Sequence, residues 1–143
     1  MKNRIFIGEF VGSAFLVMII VGSGIMAQNL TRDFAVMLLA NTLATGAGLF
    51  VLINSIADIS GAHFNPAVTM VMYFTKKIKK DLIVTYLSAQ ILGCLLGVML
   101  ANFMFELPLI EPAIDAEATP LDGLEVKSSL TNSTTFVLPS VLC

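Results

Sequence analysis

Apolar residues fall into three long stretches without a charge, from 10 to 31, from 34 to 57 and from 82 to 105. Each reaches or exceeds the about 20 residues that cross a hydrocarbon core of roughly 30 Å. The pattern predicts three transmembrane helices at about residues 5–27, 34–56 and 82–105. The first stretch is too long for the apolar region of a signal peptide, and no small-residue cleavage site ends it cleanly. Between the second and third stretches the pattern changes. Asp58 to Phe64 is polar and carries a glycine, Pro66 to Thr75 is apolar, and a lysine cluster follows. A helix over about residues 65–75 would be about 15 Å long, half a bilayer. It cannot span, so it reads as a re-entrant half-helix that returns to the side it came from. Non-helical backbone at that depth is tolerated only where protein buries it or a water-filled cavity meets it. An amphipathic helix lying in the interface would need a polar face along its length, and Met70, Val71, Met72, Tyr73 and Phe74 offer none.

Composition agrees. The chain is 57% hydrophobic and 13% charged, with a mean hydropathy of +0.89, far from a soluble domain. The expected class is an all-α membrane protein whose partner is the lipid bilayer. Net charge says less than its distribution. Lys2, Arg4, Lys76, Lys77, Lys79 and Lys80 lie on one predicted side, and Arg32 and Lys127 on the other. By the positive-inside rule the N-terminus and the lysine cluster are cytoplasmic and the tail lies outside. At a membrane edge the lysines read as topogenic anchors rather than as a nucleic-acid or headgroup patch. The chain divides into 1–105, which holds the spans, and an acidic, proline-bearing tail over 106–143. Low hydrophobicity and excess negative charge predict a poorly ordered tail. Phe136 to Leu142 is apolar but broken by Pro139, so no fourth span is expected.

Small residues recur along the spans, among them Gly12, Gly48, Gly93 and Gly97. Lipid offers no hydrophobic drive for helices to associate, so close approach at small residues is how they pack. Cys94 lies within the third span and Cys143 is the last residue. No disulfide is expected, nor any metal or cofactor. No nucleophile, metal cluster or phosphate loop points to an enzyme.

The chemistry concentrates at Asn65-Pro66-Ala67. Asn is a favoured N-cap, and Pro in the first helical position has no N–H to leave unsatisfied. A helix start at mid-membrane aims about half a positive charge at whatever occupies the cavity. The Asn65 amide adds N–H donors at the same point. Such an end attracts a water or alcohol oxygen and repels cations and hydronium, a device used in pores.

The run Ser60-Gly61-Ala62-His63-Phe64-Asn65-Pro66-Ala67-Val68-Thr69 resembles the first re-entrant loop of the aquaporin and glycerol facilitator family, the major intrinsic proteins. Gly8-Glu9-Phe10 and Tyr86-Leu87-Ser88-Ala89-Gln90, with Gly93 and Gly97, extend the likeness over about residues 3–107. The resemblance implies a single-file pore for water or small neutral solutes, built as a homo-oligomer, a tetramer in the family, in a bacterial inner membrane. It implies that Asn65, Pro66, Ala67, His63, Gly61 and Ala62 line the pore, with Asn65 donating to the permeating oxygen. Glu9 would accept hydrogen bonds from the re-entrant backbone, with Gln90 as its polar counterpart. By the family's spacing Thr45 is the span-two member of the outer constriction. Thr departs both from the aromatic of water-selective relatives and from the Trp frequent in glycerol-conducting ones; a smaller polar side chain implies a wider aperture, with room for glycerol, urea or neutral metalloid hydroxides. A small packing role for Thr45 is the alternative.

A complete member has two inverted repeats, the second with its own Asn-Pro-Ala triplet and a filter arginine. Residues 1–143 hold one triplet, so the likeness is to the N-terminal half. Inverted repeats build sites at their mutual interface. Two function classes follow: a channel, as this chain or as half of a longer one, and a non-conducting fragment with a role in assembly.

Overall fold

A computed structural model describes residues 2–107. Four helices occur in the order α1 (Lys2–Leu30), α2 (Phe34–Ser60), α3 (Pro66–Phe74) and α4 (Lys80–Met104). Three are long and apolar enough to cross a membrane, and α3, of 9 residues, is a short piece between two of them. The fold is an all-α bundle of three long helices with one short re-entrant helix. The acidic tail expected over 106–143 lies outside the described residues from Pro108 onward.

Each boundary has a local cause. Asp33 caps α2, its Oδ1 accepting from the amides of Ala35 at 2.9 Å and Val36 at 3.3 Å, which satisfies donors that a helix start otherwise orphans. The α1–α2 connection is therefore a tight turn between Leu30 and Phe34. Helices α1 and α2 overrun the spans predicted for them. Helix α2 continues through Asp58 to Ser60 and stops at Gly61, whose φ of 93° is the left-handed C-cap conformation. A glycine takes that conformation without a Cβ penalty, so the first glycine after the apolar run, not the first charge, ends the helix. The polar segment is correspondingly shorter than read from the sequence.

Helix α1 is the centre of the bundle, with α2 and α4 on different sides of it and α3 resting on α4. The α1–α4 seam is close because α4 presents glycines to it. A Cβ on Gly93 would meet the carbonyl oxygen of Phe10, and one on Gly97 the carbonyl oxygen of Ala14. Backbone thus lies on backbone, as the small-residue spacing predicts. Beside it Val17, Val21, Ile25 and Ala101 form one buried cluster. Ile5, Leu82 and Tyr86 form a second, with Ile78 packed against it. Cys94 is a free thiol on α4, and Cys143 lies outside the described residues.

Candidate functional site

The segment Gly61–Asn65 carries the chain from α2 to α3 through an unusual backbone. Besides Gly61, Ala62 and Phe64 both have φ of 51°, left-handed geometry that costs an L residue roughly 1–2 kcal/mol. Such a conformation persists only where its surroundings over-determine it. Here α1 supplies the constraint. Glu9, 0% exposed, accepts from Ser60 Oγ at 2.7 Å and the His63 amide at 2.9 Å through Oε1. Through Oε2 it accepts from the Phe64 amide at 2.8 Å and Gln90 Nε2 at 2.9 Å. Four donors fill the about four lone-pair sites of a carboxylate. A buried carboxylate is tolerable only when satisfied in this way, and the same bonds fix two consecutive amides of the strained loop.

One turn further along α1, Gly12 forms a socket. A Cβ there would overlap the ring of Phe64, which is buried. Expected as a helix-packing residue, Gly12 instead seats the loop, because the nearest side chain over it belongs to the re-entrant segment and not to a helix. Gly48 does face a helix, meeting Ile19 of α1.

Asn65 is the N-cap of α3. Its Oδ1 accepts from the Ala67 amide at 2.7 Å, and Pro66 occupies the first turn. Capping uses the acceptor end of the amide. Thr69, one turn into α3 and fully buried, ties the helix start to the rest. Its hydroxyl accepts from Gln90 Nε2 at 3.0 Å, donates to the Asn65 carbonyl at 3.2 Å and lies 3.2 Å from His63 Nδ1. With the single hydroxyl proton given to the carbonyl, His63 Nδ1 is the donor to Thr69 and the neutral ring keeps its lone pair on Nε2. His63 is 7% exposed, its ring stacked on Tyr86 with centroids 4.4 Å apart. Tyr86 in turn donates its hydroxyl to the Ser60 carbonyl. The structure therefore brings Glu9, Gln90, His63 and Asn65 into one connected network, with Gly61 exposed at its edge.

Thr45 is not part of it. It lies on α2 about 24 Å before Gly61 along the helix axis, half-buried, its hydroxyl donating to Asn41 Oδ1 at 3.3 Å. Asn41 Nδ2 in turn donates across to the Ile20 carbonyl of α1 at 3.0 Å. Sequence reasoning assigned no role to Thr69, Tyr86 or Asn41. A threonine four residues after the capping Asn, in an otherwise apolar half-helix, is the signal that was there to be used.

A short helix whose approach is held by an interior carboxylate, set between helices long and apolar enough to cross a membrane, defines an all-α membrane-protein fold. Residues 1–139 match the family model described as major intrinsic protein. Aquaglyceroporin AqpS of Rhizobium meliloti is 42% identical over 118 residues, covering 82% of this chain and 51% of the relative. Aquaporin NIP3-1 of Arabidopsis thaliana is 34% identical over 135 residues, 92% of this chain and 39% of the relative. Among solved structures, the aquaglyceroporin from Plasmodium falciparum superimposes with a TM-score of 0.61 at 30% identity, over 74% of this chain and 43% of that one. The chain belongs to the major intrinsic protein family. It spans about half the length, or less, of these curated relatives.

Proposed function

We propose that this chain forms one half of a passive pore for water or glycerol-like neutral solutes, with its N-terminus on the cytoplasmic side of an inner membrane. The observation that carries the reading is the α3 start. Asn65 caps it, and the interior carboxylate of Glu9 holds the two residues before it. In this reading the donor end of the Asn65 amide and the positive end of the α3 dipole meet the solute oxygen and disfavour cations. Pro66, Ala67, Gly61 and Ala62 line the same passage, His63 presents Nε2 toward it, and Thr45 sets the aperture on the α2 side. Glycerol is favoured over strict water selectivity, since two of the similar proteins are named aquaglyceroporins; neutral metalloid hydroxides are the alternative cargo. Stopped-flow light scattering on proteoliposomes tests it. With the pore completed by a second half, from another copy or from the remainder of a longer chain, water and glycerol permeability above that of empty liposomes, reduced by Asn65→Leu, is expected; permeability equal to empty liposomes from residues 1–143 alone refutes conduction without that second half.

One observation favours a second reading. Across its whole apolar window α2 has no fully buried residue, and only its side toward α1 is half-covered. A role in assembly, with α2 packed on another copy or another half in a homo-oligomer, would cover that surface. Crosslinking from α2 cysteines in native membranes that yields only monomers counts against it.

A further inference from the structure

We propose that the connection between α3 and α4 is a preformed binding surface for anionic phospholipid headgroups. Lys76, Lys77, Lys79 and Lys80 are all exposed, and none is in an ion pair among the described residues, where Lys2 takes Asp81 at 3.5 Å. What the structure adds to this charge run is rigidity. The Met72 carbonyl accepts from the amides of Lys77 at 2.9 Å and Ile78 at 3.4 Å, and the Tyr73 carbonyl from that of Lys76 at 2.9 Å. Ile78 packs against Ile5, Leu82 and Tyr86, so the two lysine pairs flank, along the chain, a residue held on the bundle. The loop backbone is already held by these bonds, so a ligand has only the exposed lysine side chains to order.

The surroundings select the ligand class. Immediately beside the lysines, Phe74 at the end of α3 and Val84 in the second turn of α4 are 73% and 74% exposed. Cationic groups next to bare apolar side chains at the end of two membrane helices match a molecule with a phosphate at one end and acyl chains at the other. A nucleic acid or a free phosphate would use the lysines and leave the apolar pair uncovered. The positive-inside rule accounts for the side on which these lysines lie and requires no contact between them and a headgroup; that contact is the added claim.

This inference does not depend on conduction. The full chain, purified in a neutral detergent, is exposed to equal amounts of phosphatidylglycerol and phosphatidylcholine of the same acyl composition, and retained lipid is counted by native mass spectrometry. Retention of phosphatidylglycerol at least about fivefold over phosphatidylcholine is expected, the factor one basic side chain contributes near an anionic surface. It should fall with salt. K76Q/K77Q and K79Q/K80Q should each reduce the preference, and the four-site variant should abolish it, while the four Lys→Arg changes keep it. A thermal unfolding midpoint unchanged in the absence of lipid shows that the variants fold, and the two paired variants stand in if the four-site one does not. Equal retention of the two lipids by the unaltered chain would overturn the proposal. So would a preference that survives in the glutamine variants, competition by free glycerol phosphate at the same concentration as the lipid, or retention of an oligonucleotide without any lipid preference.

Discussion

Helices α1 and α2 have nearly the same length, 29 and 27 residues, and both are apolar enough to cross a membrane, yet they do opposite things. Half of the apolar window of α1 is buried and none of that of α2. Helix α1 holds the polar side chains Glu9 and Ser13 in its buried face. Helix α2 leaves Leu39, Leu43, Phe50 and Val51 bare. Within a membrane, then, apolarity marks what can face lipid and says little about what lies inside. Interior position is announced by glycines that meet backbone and by polar groups that find donors, because those are the features lipid cannot accommodate.

The sharpest way to break this comparison is to add the same methyl group to each surface. Gly93→Ala puts its Cβ onto the Phe10 carbonyl of α1, where backbone has to move. A loss of roughly 1–3 kcal/mol or more is expected, read as a lower unfolding midpoint in mixed dodecyl maltoside and SDS micelles. Gly46→Ala on α2 has nothing within 4 Å and should gain up to about 1 kcal/mol from helix propensity. If Gly46→Ala is instead destabilising, the α2 face has a partner. The acids give a second contrast. Glu9→Ala strands the His63 and Phe64 amides and takes an acceptor from Ser60 Oγ and from Gln90 Nε2, which keeps only its bond to Thr69, and should cost about 2–3 kcal/mol or more. Asp58→Asn, on the exposed end of α2, should stay within about 0.5 kcal/mol in the same assay.

How far the sequence was legible follows the range of the interactions. The α3 start could be read from Asn65 and Pro66 because capping is decided by adjacent residues. The half-bilayer length of α3 could be read by counting. The motif resemblance singled out Glu9 and Gln90, and the structure joins them directly. What stayed hidden was decided at long range. Thr69 links His63, Asn65 and Gln90, and no local pattern states that a half-helix hydroxyl will meet a side chain from a helix that begins at Lys80. Gly12 looked like its neighbours in a small-residue series, and only the position of Phe64 distinguishes a loop socket from a helix contact. The run-on of α2 through Asp58 was obscured by treating a charge as a stop, when the stop is the left-handed residue Gly61.

The Gly12 socket can be tested on its own terms. Gly12→Ala should cost about 1–3 kcal/mol by overpacking the Phe64 ring. Phe64→Leu in the same chain should recover part of that loss, since contacting residues couple by about 0.5–3 kcal/mol. Additive losses in the double variant would mean that Gly12 serves the helix and not the loop.

The smallest effect concerns the polar atoms that the network leaves out. Ser13 Oγ, on the buried face of α1, has no hydrogen-bond partner among the described residues, and neither has Gln90 Oε1. A buried hydroxyl without a partner is a cost rather than a support. Ser13→Ala should therefore leave stability unchanged or raise it by up to about 1 kcal/mol, although the side chain is 0% exposed. The matching change on α2, Ser55→Ala, removes a hydroxyl that donates to the Val51 carbonyl at 2.8 Å on the exposed side, and should move the midpoint little in either direction. A clear loss at Ser13 in the same micelle titration would mean that its hydroxyl has a partner, such as a buried water, in the α1–α4 seam. The polar face of α1 would then reach one turn beyond the hydrogen bonds of Glu9.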